Sequence, residues 1–148
     1  MTAISSPAGD EHLSPAFSLY IHIPWCVRKC PYCDFNSHAT LEPIPELAYV
    51  EALLGDLDRE LVGQTQEPPP LVSLFIGGGT PSLLSGVAIA RLLAGIRQRL
   101  PLDSTTEITL EANPGTADAA NFDAYRAAGV NRLSLGVQSL NAHRLHDL

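Results

Sequence analysis

The sequence predicts an α/β fold built on a parallel sheet, and three observations predict it. Strand-like and helix-like segments alternate four times along the 148 residues. One strand, LVSLFI, is apolar almost without a break, as a parallel strand covered on both faces has to be. The chain reaches Leu148 about two turns into its last helix, which would leave the edge of a fourth strand bare. Crossovers between parallel strands are right-handed and return each helix to the sheet, so the alternation implies βαβ units. The expected architecture is the N-terminal four βα units of a larger barrel.

Each element has its own local cause. Residues 1–16 are small, polar and broken by proline, and are expected to form a flexible tail ahead of an incomplete core over 17–148. FSLYIHI is rich in β-branched and aromatic residues and reads as a strand ending at Pro24. PELAYVEALLGDLDRELV carries Leu47, Val50, Leu54, Leu57 and Leu61 at helical spacing, a stripe that one face buries, with the EPPP run as its stop. LVSLFI then runs into GGG, and a second helix is expected from about Leu83 to Leu100, ended by Pro101. EITLEA reads as the third strand and Pro114-Gly115 as a turn. Thr116 is the expected N-cap of a helix running to Ala128, with Gly129 suited to its C′ position. NRLSLGV reads as the fourth strand, and the last helix is expected to start near Ser139 and Asn141.

Composition narrows the function. Hydrophobic residues at 45% and charged residues at 17% describe a globular domain, the opposite of the balance that disorder requires. A formal charge of −7 argues against nucleic acid as a partner, since that needs a basic footprint. It leaves room for a small anionic ligand held by local geometry. The N-terminus lacks the basic and apolar regions of a secretory signal. No apolar run approaches the ~20 residues of a spanning helix. A cytoplasmic location is expected, where thiols stay reduced and clustered cysteines bind metal or do redox chemistry.

All three cysteines, Cys26, Cys30 and Cys33, fall within CVRKCPYC. Three thiols cannot all pair within one chain. Zinc would want a fourth ligand, which His22 or His38 could supply. A thioredoxin-like pair, Cys30-Pro31-Tyr32-Cys33, would leave Cys26 idle. An iron–sulfur cluster held by three thiolates keeps one iron open. The blandest reading is three thiols packed as small apolar residues. Arg28 and Lys29 weigh against it, because cations beside thiols favour the thiolate that ligates metal. GGGTP, Gly77 to Pro81, is on its own a strand-to-helix turn, and no Lys-Ser/Thr follows to make it a Walker loop. Glu111 at a strand end is as readily a solvated carboxylate as a functional one. His22 is expected to pack against the cysteine loop, and His38, His143 and His146 read as ordinary histidines.

YIHIPWCVRKCPYC resembles the signature of radical S-adenosylmethionine (SAM) enzymes, in which a C-x3-C-x2-C loop holds a 4Fe–4S cluster. GGGTP, Glu111 in ITLEANP and Gln138 in LSLGVQS follow in that family's order. The resemblance implies a partial (βα)6 TIM-like barrel and a cluster held by Cys26, Cys30 and Cys33. It implies SAM contacts at Tyr20, Tyr32, Gly78, Gly79, Thr80, Glu111 and Gln138. In the family, SAM chelates the open iron through its amino and carboxylate groups and is cleaved reductively to a 5′-deoxyadenosyl radical. Within the superfamily the pattern is similar to the coproporphyrinogen-oxidase-like branch, which holds oxygen-independent coproporphyrinogen III oxidases and HemW-type haem chaperones. The oxidases carry a further cysteine where this chain has Phe35, so the resemblance favours the chaperones. Haem or a porphyrin, and haem-accepting proteins, are the implied partners, with the haem-binding segment downstream of these residues. The alternative is SAM-dependent oxidative decarboxylation of coproporphyrinogen III.

Overall fold

The computed structural model describes residues 17–63, 68–115 and 119–146. Its core is a four-stranded sheet of β1 (Phe17–Ile23), β4 (Leu71–Gly78), β5 (Glu107–Ala112) and β6 (Arg132–Leu135), in that order and parallel throughout. Each of these strands lies beside its successor, the way a barrel wall begins. Between β1 and β4 come two short strands, β2 (Trp25–Cys26) and β3 (His38–Ala39), and the helix α1 (Glu46–Leu61). The helices α2 (Gly86–Arg97), α3 (Ala119–Ala128) and α4 (Ala142–His146) complete the chain.

The core forms where the sequence is most continuously apolar. Leu74, Ile76 and Leu110 in the two central strands are fully enclosed, and α2 packs Ile89, Leu92, Leu93 and Ile96 beside them. Each such side chain contributes about 1.5–3 kcal/mol relative to exposure. On α1, Val50 and Leu54 are buried, with Leu57 and Leu61 packed against the core. Leu47 departs from the expected stripe and is 56% exposed. It stands on the rim of the stripe in the first turn, and Tyr49 and Leu53 cover the core from the opposite flank.

Helix ends differ from the expected ones for local reasons. α1 stops at Leu61, just before Gly63 at φ 86, a conformation glycine adopts without penalty, and so before the proline run. α2 begins at Gly86 rather than Leu83, because residues Pro81–Leu83 form a tight 3-10 turn first. Ser85 then caps α2 by accepting the Ala88 N–H, while Glu46 accepts hydrogen bonds from the Ser85 N–H and hydroxyl. α2 ends at Arg97, ahead of Pro101. Gly129 closes α3 at φ 114, as expected, and Asn141 caps α4 by accepting the His143 N–H at 2.9 Å. The tail expected over 1–16 and the cap expected at Thr116 lie outside the described residues. Because the four core strands are parallel, their C-terminal ends open on one side, where ligand sites of such folds lie. Among the described residues no helix is long and apolar enough to cross a membrane.

Candidate functional site

The site grows from the end of β1. After Ile23 the chain turns at Pro24 and enters β2, which carries Cys26; β3 returns beside it, pairing Trp25 with His38 and Cys26 with Ala39. The glycine loop at the end of β4 then docks on this pair. The Gly79 N–H donates to the Ile23 carbonyl at 2.7 Å, and the Thr80 N–H to the Trp25 carbonyl at 2.7 Å. Such close approach excludes a side chain: a Cβ on Gly79 would lie 2.6 Å from the Trp25 oxygen and 3.0 Å from Cys26 Sγ. Gly78 has a φ of 114 and rests against the His22 ring, which a Cβ would meet at 2.7 Å. Its N–H donates to Glu111 Oε2 at 3.2 Å, so the carboxylate at the end of β5 is tied to the glycine loop.

Cys26, Cys30 and Cys33 are all free thiols and line one cleft of about 210 Å³. Gly78, Gly79 and Thr80 line it from the end of β4, Glu111 from β5, and Gln138 from the segment after β6. Tyr32 lines it from the cysteine loop. A hydrogen bond with Cys30, and after that partial desolvation, push the Tyr32 phenol above its ordinary value. Nine of the ten residues singled out in the sequence therefore meet around one space. Tyr20 does not line it. It projects from β1 on the same face as His22, stacks on Phe75, and its hydroxyl meets His22 Nδ1 at 3.0 Å. Partial burial, and then the Glu111 charge, raise its pKa.

Asn113 and Ser134 also line the cleft, and sequence reasoning passed over both. Their only signal was position, Asn113 directly after β5 and Ser134 within β6.

The donor set fits a cluster better than a single ion. A tetrahedral zinc needs every ligand about 2.0–2.3 Å from one point. Among the described residues, no three His, Cys, Asp or Glu side chains are drawn together in that way. Both nitrogens of His22 are already engaged, one with Tyr20 and one with the Asn36 carbonyl at 2.7 Å. His38 is exposed on β3 and does not line the cleft. Three thiols around one cleft, with Glu111 there tied to the Gly78 N–H, suit a cluster that spreads its thiolates over separate irons and leaves one iron open.

Comparison with known proteins agrees with this geometry. The radical SAM superfamily profile matches residues 20–148. The chain is 57% identical over 135 residues to the haem chaperone HemW of Escherichia coli, covering 90% of this chain and 35% of that protein. It is 52% identical over 136 residues to HemW of Haemophilus influenzae, covering 90% and 36%. Among solved structures it is similar to coproporphyrinogen III oxidase (HemN) from Escherichia coli, described as a radical SAM enzyme. The two are 32% identical with a TM-score of 0.72, over 88% of this chain and 30% of that one. The chain thus spans about a third of the length of the curated relatives it matches. It belongs to the radical SAM superfamily.

Proposed function

We propose that this chain is the cluster-binding and SAM-binding portion of a HemW-like haem chaperone, acting in the cytoplasm, with residues 17–148 as the first part of its core. Cys26, Cys30 and Cys33 hold the 4Fe–4S cluster. The observation that carries this is the meeting of three free thiols, the glycine loop, Glu111 and Gln138 around one cleft. When bound, such a cluster supplies an electron to the sulfonium of SAM.

The chain's own residues do the rest. Gly78 and Gly79 leave backbone open to the methionyl end of SAM, with Thr80 beside them. Glu111, already oriented by the Gly78 N–H, presents its remaining acceptor capacity to the ligand's donors. Gln138 adds an amide, and Tyr32 an aromatic edge over the cysteine loop. Tyr20 acts through His22. Haem is the cargo, passed to haem-requiring proteins. The chaperone reading rests on the relatives named HemW and on Phe35 standing where the oxidases carry a cysteine.

The test is anaerobic reconstitution of the complete protein with iron and sulfide, followed by electron paramagnetic resonance with and without SAM and by haem titration. A cluster signal that shifts on adding SAM, together with saturable haem binding, is the expected result. An unshifted signal contradicts SAM binding at the open iron, and absent haem binding contradicts the chaperone role. The likeness to coproporphyrinogen III oxidase favours a second reading, oxidative decarboxylation of coproporphyrinogen III. Anaerobic turnover to protoporphyrinogen by the complete protein would establish that reading in place of the first.

A further inference from the structure

The three cysteines are not held alike, and a lysine makes up the difference. Cys26 belongs to a strand: it is buried, pairs with Ala39, and its carbonyl accepts the Thr40 N–H at 3.0 Å. Cys30 and Cys33 lie beyond that ladder, half-buried on the loop between β2 and β3, where the Cys33 N–H donates to the Cys30 carbonyl at 3.1 Å. Such a loop keeps its conformational freedom unless something ties its two limbs together.

Lys29 ties them. From the outgoing limb its ammonium donates to the Phe35 carbonyl at 3.0 Å and to the Ser37 carbonyl at 3.2 Å, both on the returning limb. Between those two, the Asn36 carbonyl meets His22 Nε2 at 2.7 Å. A carbonyl only accepts, so Nε2 carries the proton, and in the neutral ring Nδ1 accepts from the Tyr20 hydroxyl. His22 is itself fixed, because its own carbonyl accepts the Tyr49 hydroxyl at 2.8 Å. Three successive carbonyls at the exit of the cysteine loop are thus gripped by two side chains, one from within the loop and one from the sheet.

We propose that Lys29 is a positioning residue for the cluster ligands: with His22 it clamps the loop so that Cys30 and Cys33 are held in ligating register, while Cys26 depends on neither. The proposal rests on the assignment of the cysteines as cluster ligands made above. Ammonium-to-carbonyl bonds are charge-assisted and among the stronger kinds. A rival role exists for the same residue. Lys29 could act only as a cation that favours thiolate at its neighbours. The two roles carry opposite signs in one experiment.

That experiment is alkylation by iodoacetamide of the complete protein before reconstitution, with labelling followed at each cysteine by peptide mapping. Wild type is compared with Lys29→Met and Lys29→Arg. Loss of the clamp frees the loop and speeds labelling, whereas loss of a neighbouring positive charge alone slows it. In Lys29→Met, Cys30 and Cys33 are expected to label about tenfold faster, the scale of one charge-assisted bond, with Cys26 unchanged. Lys29→Arg, which keeps donors and charge, should restore the wild-type rates. Slower labelling, unchanged labelling, or equal acceleration at all three cysteines would each overturn the clamp. Lys29→Gln keeps a donor without the charge and serves in place of the methionine variant if that one does not fold. It is expected to label Cys30 and Cys33 about threefold faster than wild type, and slower labelling there would again overturn the clamp.

After reconstitution with iron and sulfide, the rate at which a chelator bleaches the cluster provides the second readout. Lys29→Met should lose the cluster several-fold faster than wild type and Lys29→Arg at the wild-type rate; equal rates in all three would refute the link to ligation. A wild-type protein that takes up no iron or sulfide would remove the cluster assignment instead, and the labelling pattern would still decide whether the clamp exists.

Discussion

The two sides of the cleft are made by different means. One side rests on paired backbone: Cys26 in the β2–β3 pair, the glycine loop leaving β4, and Glu111 on β5. Its positions follow from backbone pairing, with two 2.7 Å bonds from Gly79 and Thr80 to the β1–β2 segment. The other side is a loop bearing Cys30 and Cys33, with Tyr32 52% and Phe35 66% exposed on its surface. There the side chains of Lys29 and His22 supply the order that the sheet supplies opposite. Damage on the sheet side should therefore spread into stability and into every ligand at once. Damage on the loop side should stay with two cysteines.

The largest effect is expected from Gly79→Ala. The new methyl would press on the Trp25 carbonyl, which is backbone and already holds the Thr80 N–H, and on Cys26 Sγ. Overpacking of this kind costs about 1–3 kcal/mol, and chemical denaturation should register it together with a fall in iron per chain. Full stability with full iron content would show that the glycine loop does not support Cys26.

A smaller effect tests the support behind the glycine loop. The Tyr125 hydroxyl, fully buried on α3, donates to the Leu84 carbonyl at 2.6 Å, with the Ser82 carbonyl sharing that proton at 3.2 Å, beneath the turn that follows Thr80. Tyr125→Phe should cost about 1–2 kcal/mol in the denaturation midpoint. Ser85→Ala, which removes the α2 cap and the hydroxyl's bond to Glu46 but leaves the backbone N–H bond to it, should cost about 1 kcal/mol. Both should leave the ratio of Cys30 to Cys26 labelling as in wild type. A changed ratio would mean that the two sides are mechanically coupled.

The smallest effect concerns alkaline pH. Burial first, and the charges of Glu111 and Asp56 respectively second, raise the pKa values of Tyr20 and Tyr49 above 10.0. A raised folded pKa contributes stability that is fully present below the unfolded value and lost as pH rises through the folded one. Stability measured above pH 10 should therefore fall less steeply in a Tyr20→Phe variant than in wild type. An identical slope would show that burial and the Glu111 charge do not raise the Tyr20 pKa in the folded chain.

Sequence gave access to whatever is coded locally. β5 coincides with EITLEA and β1 with FSLYIHI, because alternation and a proline boundary are local signals. The β2–β3 pair was invisible, since two residues in each strand carry no periodicity and their meeting depends on how a distant loop returns. α2 starts later than the expected Leu83 because Pro81–Leu83 take a 3-10 turn and Ser85, tied to Glu46, holds the cap. In the site, cysteine spacing and GGGTP were legible as motifs. Two side-chain placements were not. Tyr20 turns with the pleat toward His22 and Phe75 instead of lining the cleft, and Lys29 finds its partners six and eight residues along a folded-back loop.

Iron and acid-labile sulfide in the complete protein, reconstituted anaerobically as wild type and as Cys26→Ala, Cys30→Ala and Cys33→Ala, measure the central claim most directly. Wild type should hold about four of each per chain, and every single-cysteine variant should lose both together. Retention of the full iron and sulfide content by any one of the three variants would contradict the claim that these thiols share one cluster.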